Sequence, residues 1–167
     1  MDIKELQIFT LFSELGVEEI AHFHSVIRKI SVPAGEKFIT EGEIGDSIFF
    51  LLEGQVEINQ ALTLPVGKGA ADTREKSIIK LSADIHPMFG EMSLFHEDDR
   101  RTASVKALTE CVLAKILKKD LFRICDKYPE TGYKVMRNMC CILCGNLVKA
   151  NRNVLKLTTA FSLVLER

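Results

Sequence analysis

The segment with the clearest chemical signal runs from Phe89 to Leu94, with Arg101 ten residues after Glu91. Gly90 allows a backbone conformation or a close approach that a Cβ atom would obstruct. The residues from Glu91 to Leu94 predict a single helical turn, whose first N–H groups attract an anion. The planar guanidinium of Arg101 suits a phosphate, and an ionised Glu91 accepts hydrogen bonds from hydroxyl groups. These residue types together predict a small sugar-phosphate ligand.

The same segment resembles part of a known family. Phe-Gly-Glu-Met-Ser-Leu at 89–94, followed by Arg-Thr-Ala-Ser-Val at 101–105, is similar to the phosphate-binding cassette of the cyclic nucleotide-binding domain family. That family includes bacterial cAMP receptor proteins, protein kinase A regulatory subunits and cyclic-nucleotide-gated channels. Two upstream stretches also resemble the family, at 33–36 and 41–54, and 11–15 resembles its helical entry to the domain. The resemblance covers roughly residues 11 to 125.

The resemblance implies a ligand site of nine residues and a role for several of them. The nine are Phe89, Gly90, Glu91, Met92, Ser93, Leu94, Arg101, Thr102 and Ala103. By resemblance, the cyclic phosphate lies on the 91–94 turn and pairs with Arg101, while Glu91 takes the ribose 2′-hydroxyl. Ser93 and Thr102 would add donors, and the C-terminal helix would close over the base as a lid. Since cAMP and cGMP share the ribose-phosphate, Arg101 and Glu91 leave the choice between these two ligands open.

The elements that position these residues are predicted to be mainly strands. Short alternating segments between 29 and 117 favour a sandwich or a jelly roll, and the resemblance implies a double-stranded β-helix (jelly-roll) barrel there. Helical spacing predicts N-terminal helices over 1–28, with one helix over 2–15 that Gly16 ends, and C-terminal helices over 118–167. The predicted fold is mainly β with flanking helices (α+β), as a single domain over 1–167 with a C-terminal lid helix.

Several stretches carry their own structural predictions. The four consecutive large apolar residues from Phe49 to Leu52 predict a strand buried on both faces. Residues 60–76 lack sustained alternation and predict a long hairpin loop. His86 stands where many family members carry glycine, a departure that affects how the next strand approaches the cassette. Residues 155–167 are apolar and either continue the last helix or pack back on the domain.

Three of the five cysteines cluster at Cys140, Cys141 and Cys144. The spacing invites a redox or zinc interpretation, but a zinc site needs a second pair of ligands and the chain shows none. Because Cys140 and Cys144 share one helical face, we expect them to pack as small buried hydrophobic residues. The odd number of cysteines argues against a disulfide framework.

Composition and residue grouping bear on the other function classes. A net charge of −1 and a pI near 6.4 give no bulk attraction to nucleic acid or to an anionic membrane. No apolar run reaches the ~18 residues that span a bilayer, and the N-terminus does not resemble a signal peptide, so a cytoplasmic protein is expected. The histidines show no ligand-like grouping with carboxylates, and no nucleophile has a partner motif, so we expect no enzyme, no catalytic residue and no metal.

The predicted function is a cyclic nucleotide-binding regulatory sensor for signal transduction, in which binding moves the C-terminal helix and signals to an effector protein or a second copy. That helix has an apolar face that comprises Met136, Met139, Cys140, Leu143 and Leu147. We expect this face to be buried either against the barrel or against a second copy, which would form a homodimer. Two alternatives stay open. Glu91 and Arg101 could form a partly exposed surface salt bridge of little energetic value. The domain could also be degenerate and ligand-free, serving as a protein-interaction module.

Overall fold

The computed structural model describes residues 3–61, 75–95 and 98–165. The strands are β1 Arg28–Val32, β2 Lys37–Ile39, β3 Ser47–Glu53, β4 Gln55–Ala61, β5 Glu75–Ser82, β6 Met88–Phe89, β7 Ser104–Ala107 and β8 Cys111–Leu117. The helices are α1 Ile3–Gln7, α2 Val17–His24, α3 Lys118–Lys127 and α4 Pro129–Leu165, with short 3₁₀ turns at Thr10–Phe12, Ala83–Ile85 and Met92–Leu94.

The strands form two four-stranded sheets in which every pairing is antiparallel. One sheet has the order β1-β8-β3-β6 and the other has the order β2-β7-β4-β5. Because strands distant in sequence lie side by side in both sheets, the chain crosses repeatedly between them, as a jelly roll requires. The predicted fold class, mainly β with flanking helices, is therefore confirmed.

Strand β3 separates two hydrophobic cores. Phe49 and Leu51 point into the core between the sheets, whereas Ile48 and Phe50 point into a second core that the helices build on the outer face. This alternation follows from the two-residue period of a strand, and it explains four consecutive apolar residues. The prediction that this strand is buried on both faces is confirmed.

The N-terminal segment differs from the single helix predicted over 2–15. Helix α1 ends at Gln7, and Phe9 is extended (φ −84°, ψ 135°) before the 3₁₀ turn at Thr10–Phe12. This break lets both aromatic rings reach Phe50, with ring centroids 5.0 Å away for Phe9 and 5.5 Å for Phe12. Gly16 does not end the first helix. It is the N-cap residue of α2, and its N–H donates to Glu19 Oε2 at 2.8 Å.

The first half of α4 is fixed to the N-terminal elements. The buried Asn138 side chain donates to the carbonyls of Leu11 (3.0 Å) and Ser13 (2.7 Å), and Lys134 pairs with Glu19 at 2.7 Å. Every residue from 144 to 165 is exposed, so residues 155–165 continue the helix without packing on the barrel. Within the described residues, no helix combines the length and apolarity needed to cross a membrane.

The packing predicted for the cysteine cluster is wrong. Cys140, Cys141 and Cys144 are all exposed. The buried side of α4 passes through Val135 and Met139, and at the 100° per residue of an α-helix this turns Cys140 and Cys144 away from the barrel.

The predicted loop over 60–76 lies partly outside the described residues, which resume at 75 after 61. Strands β4 and β5 pair as far as Ala61 and Glu75, so positions 60, 61, 75 and 76 belong to strands.

His86 adopts a left-handed conformation, with φ at 48°, which accounts for the glycine that many family members carry there. Strand β6 nevertheless forms and pairs with β3 through Phe49 and Phe50.

Candidate functional site

Arg101 is held in place by backbone hydrogen bonds to the loop between β2 and β3. Its N–H donates to the carbonyl of Glu43 at 2.8 Å, and its carbonyl accepts from the N–H of Gly42 at 2.9 Å. The preceding residue, Arg100, forms an isolated bridge with Ile44, and its exposed side chain donates to the carbonyl of Gly42 at 2.6 Å. Because side chains alternate along an extended chain, Arg100 points to solvent while Arg101 points inward.

Among the described residues, the hydrogen-bond partners of the Arg101 guanidinium are all neutral. Nη1 donates to the carbonyl of Gly90 at 3.1 Å and to the hydroxyl of Ser93 at 3.0 Å. Nη2 donates to the hydroxyl of Ser47 at 3.1 Å. The guanidinium carbon also lies 5.7 Å from the centroid of the Phe49 ring, within the range of a cation–π interaction. These contacts come from β3, from Gly90 directly after β6 and from the 3₁₀ turn, so three segments fix one side chain.

Two glycines make room for the Arg101 side chain because they have no side chain of their own. Gly90 has φ +85°, and a Cβ there would lie 2.2 Å from Arg101 Nη1 and 2.8 Å from the carbonyl oxygen of Ser47. A Cβ at Gly45 would lie 2.2 Å from the Ser93 hydroxyl oxygen and 2.7 Å from Arg101 Nε. Any larger residue at either position therefore requires the guanidinium or the backbone around it to shift.

Glu91 and Arg101 are both 7% exposed. In the part of the chain that the structure describes, Arg101 forms no ion pair with a carboxylate, so the surface salt bridge that the sequence left open is absent there. Burial lowers the pKa of the Arg101 guanidinium, whereas the negative charges of Asp46, Glu91 and Glu43 partly oppose this by raising it. Burial also raises the pKa of the Glu91 carboxyl, opposed by a backbone hydrogen bond and the Arg101 charge.

A cavity of about 590 Å³ lies in front of these two side chains. Eight of the nine predicted site residues line it: Phe89, Gly90, Glu91, Met92, Ser93, Arg101, Thr102 and Ala103. The ninth, Leu94, is buried in the helical core on the other side of the turn. The hydroxyl of Thr102 lies 3.6 Å from Met92 Sδ, at the exposed rim.

Sequence analysis missed the residues that complete the cavity wall. Strands contribute Ile39, Ile58, Ile79, Leu81 and Val105, and helix α4 contributes Cys141, Ile142, Gly145, Asn146 and Lys149. The alternation of apolar and polar residues in β4 and β5 indicates which side chains point inward, but it does not indicate where a cavity lies. Nothing in the sequence indicates which turn of α4 lies over it.

One hydrogen bond joins the cavity floor to α4. Asn146 Nδ2 donates to Glu91 Oε1 at 3.4 Å. Lys149, one turn further, also lines the cavity. A cavity with two cationic side chains, one buried carboxylate and apolar strand walls suits a ligand that combines an anion, a hydroxyl group and a flat apolar body. No group of three or more metal-ligating side chains occurs among the described residues of one chain.

Comparisons with known proteins identify the family and the fold. The family model described as cyclic nucleotide-binding domain matches residues 29–128. A cyclic nucleotide-gated potassium channel of Rhizobium etli is 32% identical over 127 residues, which make up 76% of this chain and 31% of the channel. Glutaminase 1 of Bradyrhizobium diazoefficiens is 30% identical over 155 residues, 93% of this chain and 23% of that protein. The chain thus spans only 23% to 31% of these two relatives.

A solved structure shows the same fold. The crystal structure of a cyclic nucleotide-binding domain from Methylobacillus flagellatus superposes with a TM-score of 0.74 at 23% identity. The match covers 92% of this chain and 80% of that one.

Gly90→Ala is expected to destabilise the protein more than Gly35→Ala, by about 1–3 kcal/mol, the usual cost of overpacking. Both glycines have similar positive φ angles, +85° and +89°, so backbone strain is matched. Only at Gly90 would the new Cβ meet other atoms closely, since none lies within 4 Å at Gly35. Denaturant unfolding of the two variants measures the difference, and equal losses would contradict the tight packing around Arg101.

Glu91→Gln is expected to stabilise the nucleotide-free protein at pH 7 and to have little effect near pH 4. Because burial raises the pKa of Glu91 above its ordinary value of 4.5, the wild type is fully stabilised only below that value. It loses stability as rising pH ionises the buried carboxyl. Glu36→Gln, at an exposed position, is the control for a general change of charge. Urea unfolding across this pH range tests the prediction, which fails if the effect of Glu91→Gln does not depend on pH.

Proposed function

The chain belongs to the cyclic nucleotide-binding domain family, and we propose that it binds cAMP or cGMP in the cavity in front of Arg101 and changes the position of α4 on binding. The observation that carries this proposal is the buried guanidinium of Arg101, which has only neutral partners among the described residues. The carboxylates of Asp46, Glu91 and Glu43 act on it only through space, and a buried cation that no anion contacts directly is costly. A phosphate at the cavity would provide that direct contact and use the remaining guanidinium N–H groups.

Glu91 is the proposed ribose ligand. Its carboxylate faces the cavity beside Arg101 and accepts a long side-chain hydrogen bond from Asn146. A ribose 2′-hydroxyl that donates to Glu91 would compete with this contact or join it. The position of α4 and the occupancy of the cavity would then depend on each other, because a ligand shifts an equilibrium by its difference in affinity between the two states.

The choice of base falls to residues at the rim. Thr102 lies there beside Met92, and α4 contributes Asn146 and Lys149. One neutral hydrogen bond contributes ~0.5–1.5 kcal/mol, about a tenfold preference at most. We therefore expect both nucleotides to bind, with cAMP the physiological ligand by its frequency in the family. The absence of catalysis and of direct contact with nucleic acid or membrane stays a prediction.

The proposed partner is a second copy of the chain. Of the apolar face predicted for this helix, Met136, Met139 and Leu143 pack against the helical core of the same chain. The exposed part of α4 carries apolar residues at seven-residue spacing, with a second apolar row between them; the two rows are Cys140, Leu147, Val154 and Phe161, and Ala150, Leu157 and Val164. Leu147, Val154 and Phe161 are 59% to 65% exposed. Two such rows are the seam of a two-stranded coiled coil. The cations at Lys149, Arg152 and Lys156 fall outside both rows, so two copies would meet without like charges in the seam.

Arg101→Ala should weaken the binding of both nucleotides at least about 100-fold, because it removes charge-assisted hydrogen bonds to the phosphate. Arg101→Lys should restore part of the affinity, since a point charge cannot reproduce the planar fork. Calorimetry with cAMP and with cGMP, on protein unfolded and refolded to remove bound ligand, measures these changes.

Arg100→Ala is the matched control for Arg101, because the neighbouring Arg100 side chain is exposed and points away. It should bind both nucleotides like the wild type, and circular dichroism should show that all variants remain folded. Wild-type affinity in Arg101→Ala would refute the proposed site. Failure of the wild type to bind either nucleotide would favour the degenerate interaction module instead.

Val154→Glu should convert a dimer into a monomer, because it places a carboxylate in the apolar seam of each copy. Lys156→Glu introduces the same group two residues later, outside the seam, and should leave the dimer intact. Both positions are exposed in one chain, so neither change should unfold the barrel. Sedimentation equilibrium measures the masses, and a wild type that stays monomeric at high concentration would exclude the homodimer.

A further inference from the structure

Helix α4 contains two glycines whose surroundings differ. A Cβ atom at Gly132 would lie 2.6 Å from the carbonyl oxygen of Cys125 and 2.9 Å from its Cα atom, so close packing of α4 on α3 needs a glycine there. A Cβ atom at Gly145 would have no neighbour within 4 Å among the described residues, apart from the adjoining backbone of its own helix. Gly145 is helical and has no positive φ angle. Neither packing nor backbone conformation in this structure therefore calls for a glycine at position 145.

Gly145 weakens the helix at the point where α4 leaves the rest of the protein. Glycine in a helix interior shifts the equilibrium towards non-helical conformations by about two- to fivefold relative to alanine. Leu143, two residues earlier, packs against the helical core, whereas every residue from 144 to 165 is exposed. Since most helical stability in proteins comes from tertiary packing, the intrinsic stability of α4 is low where its support by packing also ends.

The first half of α4 is held too firmly to move at low cost. The buried Asn138 side chain donates to two backbone carbonyls of the N-terminal segment, at 2.7 and 3.0 Å. A rotation of the whole helix about its junction with α3 would break these hydrogen bonds. It would also expose the buried side chains of Val135 and Met139, which is unfavourable in water. A bend after Leu143 would leave all of these contacts in place.

The turn that begins at Gly145 carries polar groups that face the cavity. Gly145 itself lines the cavity, together with Asn146 and Lys149. Asn146 Nδ2 donates to Glu91 Oε1 at 3.4 Å, which is long for a hydrogen bond and leaves room for a closer approach. Because Asn146 and Lys149 lie on one helical turn, a change in the φ and ψ angles of Gly145 would move both together relative to Arg101.

We propose that Gly145 is a positioning residue at which α4 bends when a nucleotide binds, so that Asn146 and Lys149 move towards the ligand while residues 129–143 keep their contacts. This inference rests on the proposed function and specifies where in α4 the change takes place. Glycine suits this position because it has no Cβ atom and leaves the helical conformation more readily than alanine does.

The first test changes the helix propensity at position 145. Gly145→Ala should weaken the binding of cAMP and of cGMP by about two- to fivefold, because alanine favours the straight helix. Gly145→Ser should weaken binding less than Gly145→Ala, although its side chain is larger, because serine is the poorer helix former. Calorimetry on the full chain, unfolded and refolded to remove bound ligand, measures these affinities.

Asn151→Ala is the matched control. It also raises the helix propensity at an exposed position of α4, but Asn151 is not among the residues that line the cavity. It should therefore leave both affinities unchanged. Urea unfolding should show that both alanine variants are at least as stable as the wild type, so that a loss of affinity in Gly145→Ala cannot come from unfolding.

Hydrogen exchange locates the bend in the unmodified chain. Saturating cAMP should change the exchange rates of the backbone amides from 144 to 150, which span Gly145, and leave those from 131 to 139 unchanged. Without nucleotide, the amides from 144 to 150 should exchange more slowly in Gly145→Ala than in the wild type, because local opening of the helix is less frequent.

The outcomes separate this inference from the proposed function. A nucleotide-dependent change over 128–139 would show that α4 moves as a whole, and it would overturn the bend while leaving nucleotide binding in place. Wild-type affinity in Gly145→Ala would also overturn the bend. A greater loss in Gly145→Ser than in Gly145→Ala would overturn it in favour of a glycine that only makes room for the ligand. Failure of the wild type to bind either nucleotide would refute the proposed function and this inference together.

Discussion

The burial of one guanidinium without a carboxylate partner is the constraint on which the candidate site depends. Arg101 fits beneath the surface only because Gly45 and Gly90 lack side chains. The Gly90 carbonyl and two serine hydroxyls accept hydrogen bonds from its guanidinium in place of water. Neutral acceptors compensate for part of the lost hydration, but none of them brings a negative charge into contact with the guanidinium. This absence of a directly bonded carboxylate among the described residues supports the proposed anion site and differs from a structural ion pair.

Strand β3 connects this site to the helices. Its Ser47 hydroxyl holds the guanidinium, and Phe49 lies under it. The next residue, Phe50, points the other way and packs against Phe9 and Phe12 of the N-terminal segment. That segment in turn accepts the hydrogen bonds that fix the first half of α4. The proposed anion site and the segment that holds α4 are thus connected to opposite faces of one strand, and the later turns of α4 reach the cavity from that base.

Residue pattern predicted the strands well because buried strands have a short and regular period. The consecutive apolar residues of β3 and the bounds of β8 followed from it, and the resemblance placed eight of nine cassette residues around one cavity. Leu94 was included in the ligand site because it belongs to the same motif as its neighbours. One side of the 3₁₀ turn at Met92–Leu94 faces the cavity, whereas Leu94 on the other side faces the helical core. The exposure of Cys140 could not be predicted, because an apolar helical face looks the same whether it packs on its own barrel or on another chain.

Helix α4 shows why that ambiguity matters. A helix with one apolar face needs one partner, but α4 carries residues that line the cavity, such as Asn146 and Lys149, and a separate apolar row through Leu147 and Val154 that the barrel leaves uncovered. Exposed leucine and valine side chains at a coiled-coil spacing are unfavourable in water until something covers them. In the proposed homodimer, each α4 would be restrained by the other. Together with the proposed movement of α4 on ligand binding, this would make the free energy of self-association depend on whether the cavity is occupied, and by linkage the affinity for the ligand would depend equally on the dimer.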